Sequence, residues 1–227
     1  MNCNYCKNTC VKKGIRNGKQ RYKCKTCHKY QLEYYVYSIY NPSDDKRILS
    51  LNANSVSISG MSRILNYSKQ TIIRRMLLLA SRIIKPMHNE INQVYEVDEM
   101  WTFVGSNRPE NYFWITYAIN RETKNVIDVV IGKRTKENLR IVINKVKMLS
   151  PKKIITDKLN SYPNLITPVE HDTGRYRNNK IERANLTLRQ HIKRLSRKTL
   201  SYSKSIEMLQ ASILLYFFWN NWQMGWF

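Results

Sequence analysis

Acidic residues are scarce in this 227-residue chain. Sixteen Asp and Glu stand against 39 Lys and Arg, leaving a formal net charge of +23 and a pI near 9.9. An imbalance of that size draws a protein toward polyanions, first nucleic acid and second an anionic membrane surface. Long apolar runs are also missing. The longest, Ala211 to Trp219, contains Ser212 and falls far short of the roughly 20 residues that span a bilayer. No charged-then-apolar leader opens the chain, since Cys3 and Cys6 stand where one would be. The expectation is a soluble, cytoplasmic protein with no membrane partner. Glycine (7) and proline (6) are few, which excludes a collagen-like chain, and neither an internal repeat nor a low-complexity tract is found.

What is present divides into three zones. Residues 1–33 hold every cysteine and a dense set of Lys and Arg, with no acid before Glu33. Residues 34–42 are tyrosine-rich and end at Asn41-Pro42, a linker signature. From Ser43 to Pro86 apolar residues recur at helical intervals (Ile48, Leu49, Ile64, Leu65, Ile72, Ile73, Met76), with Ser43-Asp44-Asp45 as a start signal and a break at Asn66-Tyr67-Ser68. From about residue 93 onward, short β-branched and aromatic runs predict a three-stranded meander, VYEVDEMWTFV, NYFWITYAI and NVIDVVIG. A helix over 136–149, a strand KIITD over 153–157 and helices over 178–198 and 203–222 complete the reading. Phe217, Phe218, Trp219 and Trp222 are expected to pack on the sheet.

Cys3-x-x-Cys6 and Cys24-x-x-Cys27, separated by seventeen residues, have the spacing of two knuckles that offer four thiolates to one structural Zn²⁺. The Arg16-Asn17-Gly18-Lys19 turn predicts the hairpin that brings them together. Two disulfides would require an oxidising compartment, and a thioredoxin-like pair would require a βαβ context that is absent. Cys10 reads as an ordinary thiol and His28 as a surface residue.

The pair of helical stretches before and after Asn66-Tyr67-Ser68 predicts a helix-turn-helix over 43–86. The second helix would carry Ser68 as its N-cap, with Lys69, Gln70, Thr71 and Arg74 or Arg75 toward the major groove of double-stranded DNA.

In so basic a chain the placed acids stand out. Asp98 lies inside the first predicted strand, Asp157 ends KIITD, and Glu182 is the only acid between Gly174 and Lys204. Carboxylates buried at strand ends are costly unless paired or metal-bound, and three converging ones suit Mg²⁺ or Mn²⁺. The element order is that of an α/β, ribonuclease-H-like fold, a mixed sheet with flanking helices. There the first and fourth strands are neighbours, and the next helix lays Glu182 across them. Glu96, Glu99, Asp128 and Asp172 remain competitors. Arg175, Arg177, Lys180, Arg183, Arg189, Lys193 and Arg194 crowd around Glu182 as candidates for DNA-backbone contact.

The order CNYC…RNGKQRYKCKTCHKYQ, helix-turn-helix, VDEMWTFVG, TDKLNSY and RYRNNKIERANLTLRQHIKRLSRKTLSYSKSIE resembles the transposases of the insertion-sequence-one family over nearly the whole chain. The resemblance implies a DDE-type transposase. A zinc ribbon (1–33) and a helix-turn-helix (43–86) would bind terminal inverted repeats, and a ribonuclease-H-like domain (93–227) would carry out Mg²⁺-dependent DNA cleavage and strand transfer, as a homo-oligomer in the active complex. By motif, Asp98, Asp157 and Glu182 are the catalytic acids, and Arg189 stands seven residues on, where many DDE transposases carry Lys. The rival expectations are a non-catalytic DNA-binding regulator and a nuclease that cleaves without joining. A tyrosine recombinase is set aside because the 15 tyrosines come without an Arg-His-Arg-Tyr constellation.

Overall fold

Asn17 (φ +51°) and Gly18 (φ +72°) reverse the chain between β1 (Cys10–Arg16) and β2 (Lys19–Cys24). Two consecutive positive φ values give the turn whose twist matches a hairpin, and Asn-Gly takes them at little cost. The hairpin pairs Arg16 with Lys19 and Cys10 with Cys24, and β3 (Tyr30–Leu32) adds a third antiparallel strand. The protein is described by a computed structural model over residues 1–34, 40–174, 177–196 and 198–219. It forms two compact units, Met1–Tyr40 and Asn41–Phe227. No described helix is long and apolar enough to cross a membrane.

The second unit opens with α1 (Asp44–Ala53), α2 (Ile58–Leu65) and α3 (Lys69–Ser81). Ser57 and Ser68 cap α2 and α3, their hydroxyls accepting from the Gly60 and Thr71 amides at 3.1 Å each. Asn66, left-handed at φ +56°, ends α2. Ile48 and Leu49 of α1, Met61 and Leu65 of α2, and Ile72 and Met76 of α3 are all buried. Arg75 shares the inward side of α3 and binds Asp45 of α1 through two hydrogen bonds of 3.1 and 2.5 Å. Arg75 is thus engaged with α1, whereas Arg74, the other member of the expected pair, is exposed.

The sheet contains β4 (Val94–Phe103), β5 (Tyr112–Asn120), β6 (Val126–Gly132), β7 (Lys153–Ile155) and β8 (Glu170–Asp172), in the order β6-β5-β4-β7-β8. The β4–β5 and β5–β6 pairs are antiparallel, while β4–β7 and β7–β8 are parallel. The first and fourth strands of the sheet are therefore adjacent, as expected. Alternation along β4 sends Tyr95 and Val97 into one core with Leu139, Val142, Ile143 and Val146 of α4 (Lys136–Lys147) and with Tyr162 of α5 (Tyr162–Ile166). Met100, Tyr117 and Ile119 face the other core. There they meet Ile181 and Leu188 of α6 (Asn179–His191), Leu209 and Ile213 of α7 (Ile206–Leu214), and Phe217 and Phe218 of the π-helical turn Leu215–Trp219. Trp222 lies outside the described residues.

Three boundaries differ from the sequence reading. The KIITD strand stops at Ile155, where the Thr156 hydroxyl binds the Asp157 carbonyl (2.7 Å) and His171 (2.8 Å), turning the chain out of the ladder. The helix expected over 178–198 ends at His191, followed by a 3₁₀ turn, Lys193–Leu195. The last helix begins at Ile206, capped by Ser205 on the Met208 amide at 3.3 Å. Neither α5 nor β8 was expected, because each is too short to show a period.

The α4 layer tests the packing. Ile143 is fully buried while Ile141 on the same helix is half exposed. Ile143→Ala is expected to cost about 2–5 kcal/mol in urea unfolding, and Ile141→Ala less than about 1 kcal/mol.

Candidate active site and metal centre

Strand parity separates Glu99 from the other two acids of β4. Asp98 and Glu96 point to the α6 side, whereas Glu99, of opposite parity, shares the α4–α5 side with Tyr95 and Val97. Asp157 follows β7, two residues past its last paired position, and Glu182 sits on the first turn of α6. The strand pairing and the helix bring the three acids into one neighbourhood. Burial pushes the Asp98 carboxyl up to about 6, and the negative charges of Asp157 and Glu182 add to that rise against the opposing hydrogen bonds from the Glu99 amide and Asn185.

Asp98 is oriented by a relay that the sequence did not reveal. Asn185 donates to Asp98 Oδ2 (2.7 Å), and the Tyr117 hydroxyl donates to Asn185 Oδ1 (2.8 Å). Tyr117 is the register partner of Asp98 on β5, and Asn185 is three residues past Glu182, so it shares that face of α6. The i+3 spacing was the available signal.

Glu96 is wholly buried and does something different. It pairs with Arg121 and accepts from the Ile181 amide at 2.8 Å, capping the N-terminus of α6 in place of Asn178, whose side chain makes no cap. Arg121 also holds the Arg177 carbonyl at 2.5 Å. This clamp fixes the turn of helix that carries Glu182. Burial raises the Glu96 carboxyl, and the Ile181 amide and Arg121 pull it back.

The competing acids are occupied elsewhere. Glu99 pairs with Arg134 at 2.9 Å, Asp128 with Lys85, and Asp172 holds the Gly174 amide at 2.9 Å with Lys153 and Arg177 nearby. Among the described residues, none of Asp98, Asp157 and Glu182 makes an ion pair. In a chain of net charge +23, three neighbouring carboxylates without a protein cation are a donor set that suits a hard divalent ion. Their oxygens are spread more widely than a single-ion cage. Only the four cysteines, among the described residues, gather such ligand atoms within 4.8 Å of one another.

The basic candidates separate by environment. Arg189 donates to the carbonyls of Leu195 (3.1 Å) and Trp101 (3.2 Å), which ties the end of α6 to β4. These bonds give Arg189 a structural role at the end of α6, beside the catalytic use that the resemblance implies. Lys180 and Arg183 are exposed beside Glu182, as is Arg177. Arg175 lies outside the described residues. On α3, Lys69 and Gln70 are exposed, Thr71 is half-buried and bonded to Ser68 at 2.9 Å.

In the first unit the four cysteines come together, as their spacing predicts. Cys3 Sγ lies 3.5 Å from Cys27 Sγ, and Cys6 Sγ lies 3.4 Å from Cys24 Sγ. The Tyr5 amide points to Cys3 Sγ at 3.4 Å, and those of Thr26 and Cys27 to Cys24 Sγ at 3.4 and 3.5 Å. The Cys27 amide leads in holding the Cys24 thiol down at about 6 against its burial. Zn–S bonds of about 2.3 Å set tetrahedral sulfur separations of about 3.8 Å, so the four sulfurs fit zinc. Cys10 is buried beside this group but is not one of the four, and His28 is exposed. The buried cluster of the unit is little more than these cysteines and Tyr22, too little apolar material to hold three short strands without a metal.

A mixed sheet with acids gathered where its first and fourth strands adjoin, and a third acid on the helix laid across them, defines the class: a DNA-processing domain of the DDE type. Residues 92–223 match the family model described as IS1 transposase. The chain belongs to the IS1 transposase family. It is 37% identical over 120 residues to the insertion element iso-IS1n protein InsB of Shigella dysenteriae, covering 53% of this chain and 90% of that protein. It is also 37% identical over 116 residues to the insertion element IS1 4 protein InsB of Escherichia coli K12, covering 50% of this chain and 66% of that protein. The HTLV-2 integrase catalytic core domain in complex with magnesium superposes with a TM-score of 0.38 at 14% identity, over 59% of this chain and 87% of that one. So loose a likeness does not bear on the site.

Two outcomes follow from the charge at Asp98 and from the thiols. The folded-state value near 6 lies above the ordinary 3.8, so the folded chain retains a proton that the unfolded chain has lost. The metal-free second unit should therefore lose stability as pH rises from about 4 to 6 and stay lower above that range. Asp98→Asn removes this loss. In EDTA at pH 7.5 it should be more stable than wild type by on the order of 1–3 kcal/mol, with no difference below pH 4. Tryptophan fluorescence reports this unit alone, because all five tryptophans lie beyond residue 100. For the first unit, about one Zn²⁺ per chain should be found by elemental analysis, and Cys24→Ser should lose it together with the dispersed amide spectrum of residues 1–34.

Proposed function

We propose that this chain is a DNA transposase that cuts at the ends of its own element and joins them to target DNA. The observation that carries this reading is the group Asp98, Asp157 and Glu182, three neighbouring carboxylates that make no ion pair among the described residues of a strongly basic protein. They would hold Mg²⁺ or Mn²⁺. When bound, such ions supply Lewis-acid activation of the attacking oxygen and neutralise charge on the phosphate.

The protein's own part is placement. The Tyr117–Asn185 relay leaves one Asp98 oxygen committed to Asn185 and the other for the ion, and the Glu96–Arg121 clamp sets Glu182. Lys180 and Arg183, on the turn of α6 that carries Glu182, face the phosphates flanking the scissile bond. In the first reaction, water adds to phosphorus and the 3′ oxygen leaves as a hydroxyl. In the second, that hydroxyl attacks a target phosphodiester, and one P–O bond forms as another breaks. No oxidant, reductant or covalent protein intermediate is required.

Residues 43–86 serve as the DNA-reading part, with α3 as the recognition helix. Lys69, Gln70 and Arg74 face the duplex, and Ser68 and Thr71 cap and position the first turn. The zinc ribbon (1–33) adds a basic surface for the terminal repeat, and the domain 93–227 acts as part of a homo-oligomer that holds element ends and target together.

Strand transfer with a labelled element end tests the reading. Asp157→Ala should lower the yield of joined product by roughly 10³-fold or more and leave binding to the end unchanged in a gel-shift assay. Equal yields would remove Asp157 from the site, and cleavage without any joined product in the wild type would replace transposition with nuclease action.

A further inference from the structure

A groove of about 430 Å³ runs between the helical segment and the end of α6. Its walls come from the starts of α2 and α3 on one side and from residues 192–208 on the other. Lys69, Lys193, Arg194 and Lys204 line it, and no acid does. Ser57, Ser59, Ser201, Tyr202 and Ser205 add hydroxyls. Glu207, exposed on the first turn of α7, is not part of its walls.

Arg194 is the informative member. It is half-buried, it donates to the Ser203 hydroxyl at 3.1 Å, and no carboxylate among the described residues pairs with it. Burial alone pulls it down to about 10, the mark of a guanidinium that lacks a counter-charge. Ser203 is itself fixed, its carbonyl accepting from the Gly105 amide at 2.8 Å beyond the end of β4. The starts of α2, α3 and α7 (Ser57, Lys69, Ser205) all open on the groove, and their dipoles add positive potential there. Several positive groups lining one channel, with no acid among its described lining residues, are complementary to a chain of phosphates.

We infer that this groove binds the sugar-phosphate backbone of duplex DNA, carrying it from the first turn of α3 to the α6 side of the sheet. The inference rests on the DNA-end reading above and adds a specific path to it. The groove contributes position and affinity and reads no bases. Its use would set the distance between the sequence that α3 recognises and the bond that the acids cut.

The test is the salt dependence of binding by the full chain, with two probes: a duplex carrying the terminal repeat that flanks the coding sequence, and an unrelated duplex of equal length. Lys193→Ala/Lys204→Ala alters two exposed side chains and should leave the thermal unfolding curve unchanged. Arg194, bonded to Ser203, is left in place. The double variant should reduce the slope of log K against log[KCl] by about 2 and weaken both probes by the same factor. Lys193 and Lys204 should also be protected by bound duplex from acetylation, read by mass spectrometry. A slope equal to wild type, or acetylation unaffected by DNA, overturns the groove while leaving the DNA-end reading intact. A wild-type chain that binds neither probe overturns that reading and the groove with it.

Discussion

Like charge held together, with no ion pair among the described residues, is the constraint on which the second unit depends. Asp98, Asp157 and Glu182 come from a strand, the end of its parallel neighbour and a helix. Burial first, and then the charges of the other two acids, raise Asp98 to about 6. A fold tolerates such a cost only where surrounding structure over-determines the geometry and where an outside ligand relieves it. The sheet and α6 supply the first condition, and the proposed divalent cation would supply the second.

Much of the neighbouring architecture follows from that need. The helix α6 presents Glu182, and it is held at its start by Glu96 and Arg121, in its middle by Asn185 against Asp98 and Tyr117, and near its end by Arg189 on the carbonyls of Trp101 and Leu195. Each tie runs to β4, to the strand beside it or to the turn after α6. The burial of Ile181 and Leu188 between them makes the same attachment apolar. A helix fixed at three levels cannot rotate the acid away without breaking a buried hydrogen bond, and an orphaned buried polar group costs about 1–3 kcal/mol.

The parts legible in the sequence were those with a period or a spacing. The Cys-x-x-Cys pairs, the Asn17-Gly18 turn, the alternation of β4 and the helical repeats of α1 to α4 each reflect a local rule, and local rules survive in one dimension. Asp98, Asp157 and Glu182 could be singled out only because acids are rare here. The roles of Glu96, Arg121, Asn185 and Tyr117 were not legible, because each depends on a partner 25 to 87 residues away. The same limit explains Arg75 and Arg189. Both look like surface cations, and both are drawn inward by groups that the linear order does not place beside them, Asp45 in one case and two carbonyls in the other.

Charge ties these observations together. The acids outside the site are used as internal fasteners: Asp45 holds α3, Glu96 holds α6, Glu99 holds Arg134, and Asp128 holds Lys85 at the chain's entry to the sheet. Each such fastener holds one cation, and cations outnumber acids 39 to 16 along the chain. Those that remain exposed include Lys69, Arg74, Lys180, Arg183, Lys193 and Lys204. The scarcity of acid thus leaves the surface with a positive field of the kind that attracts polyanions.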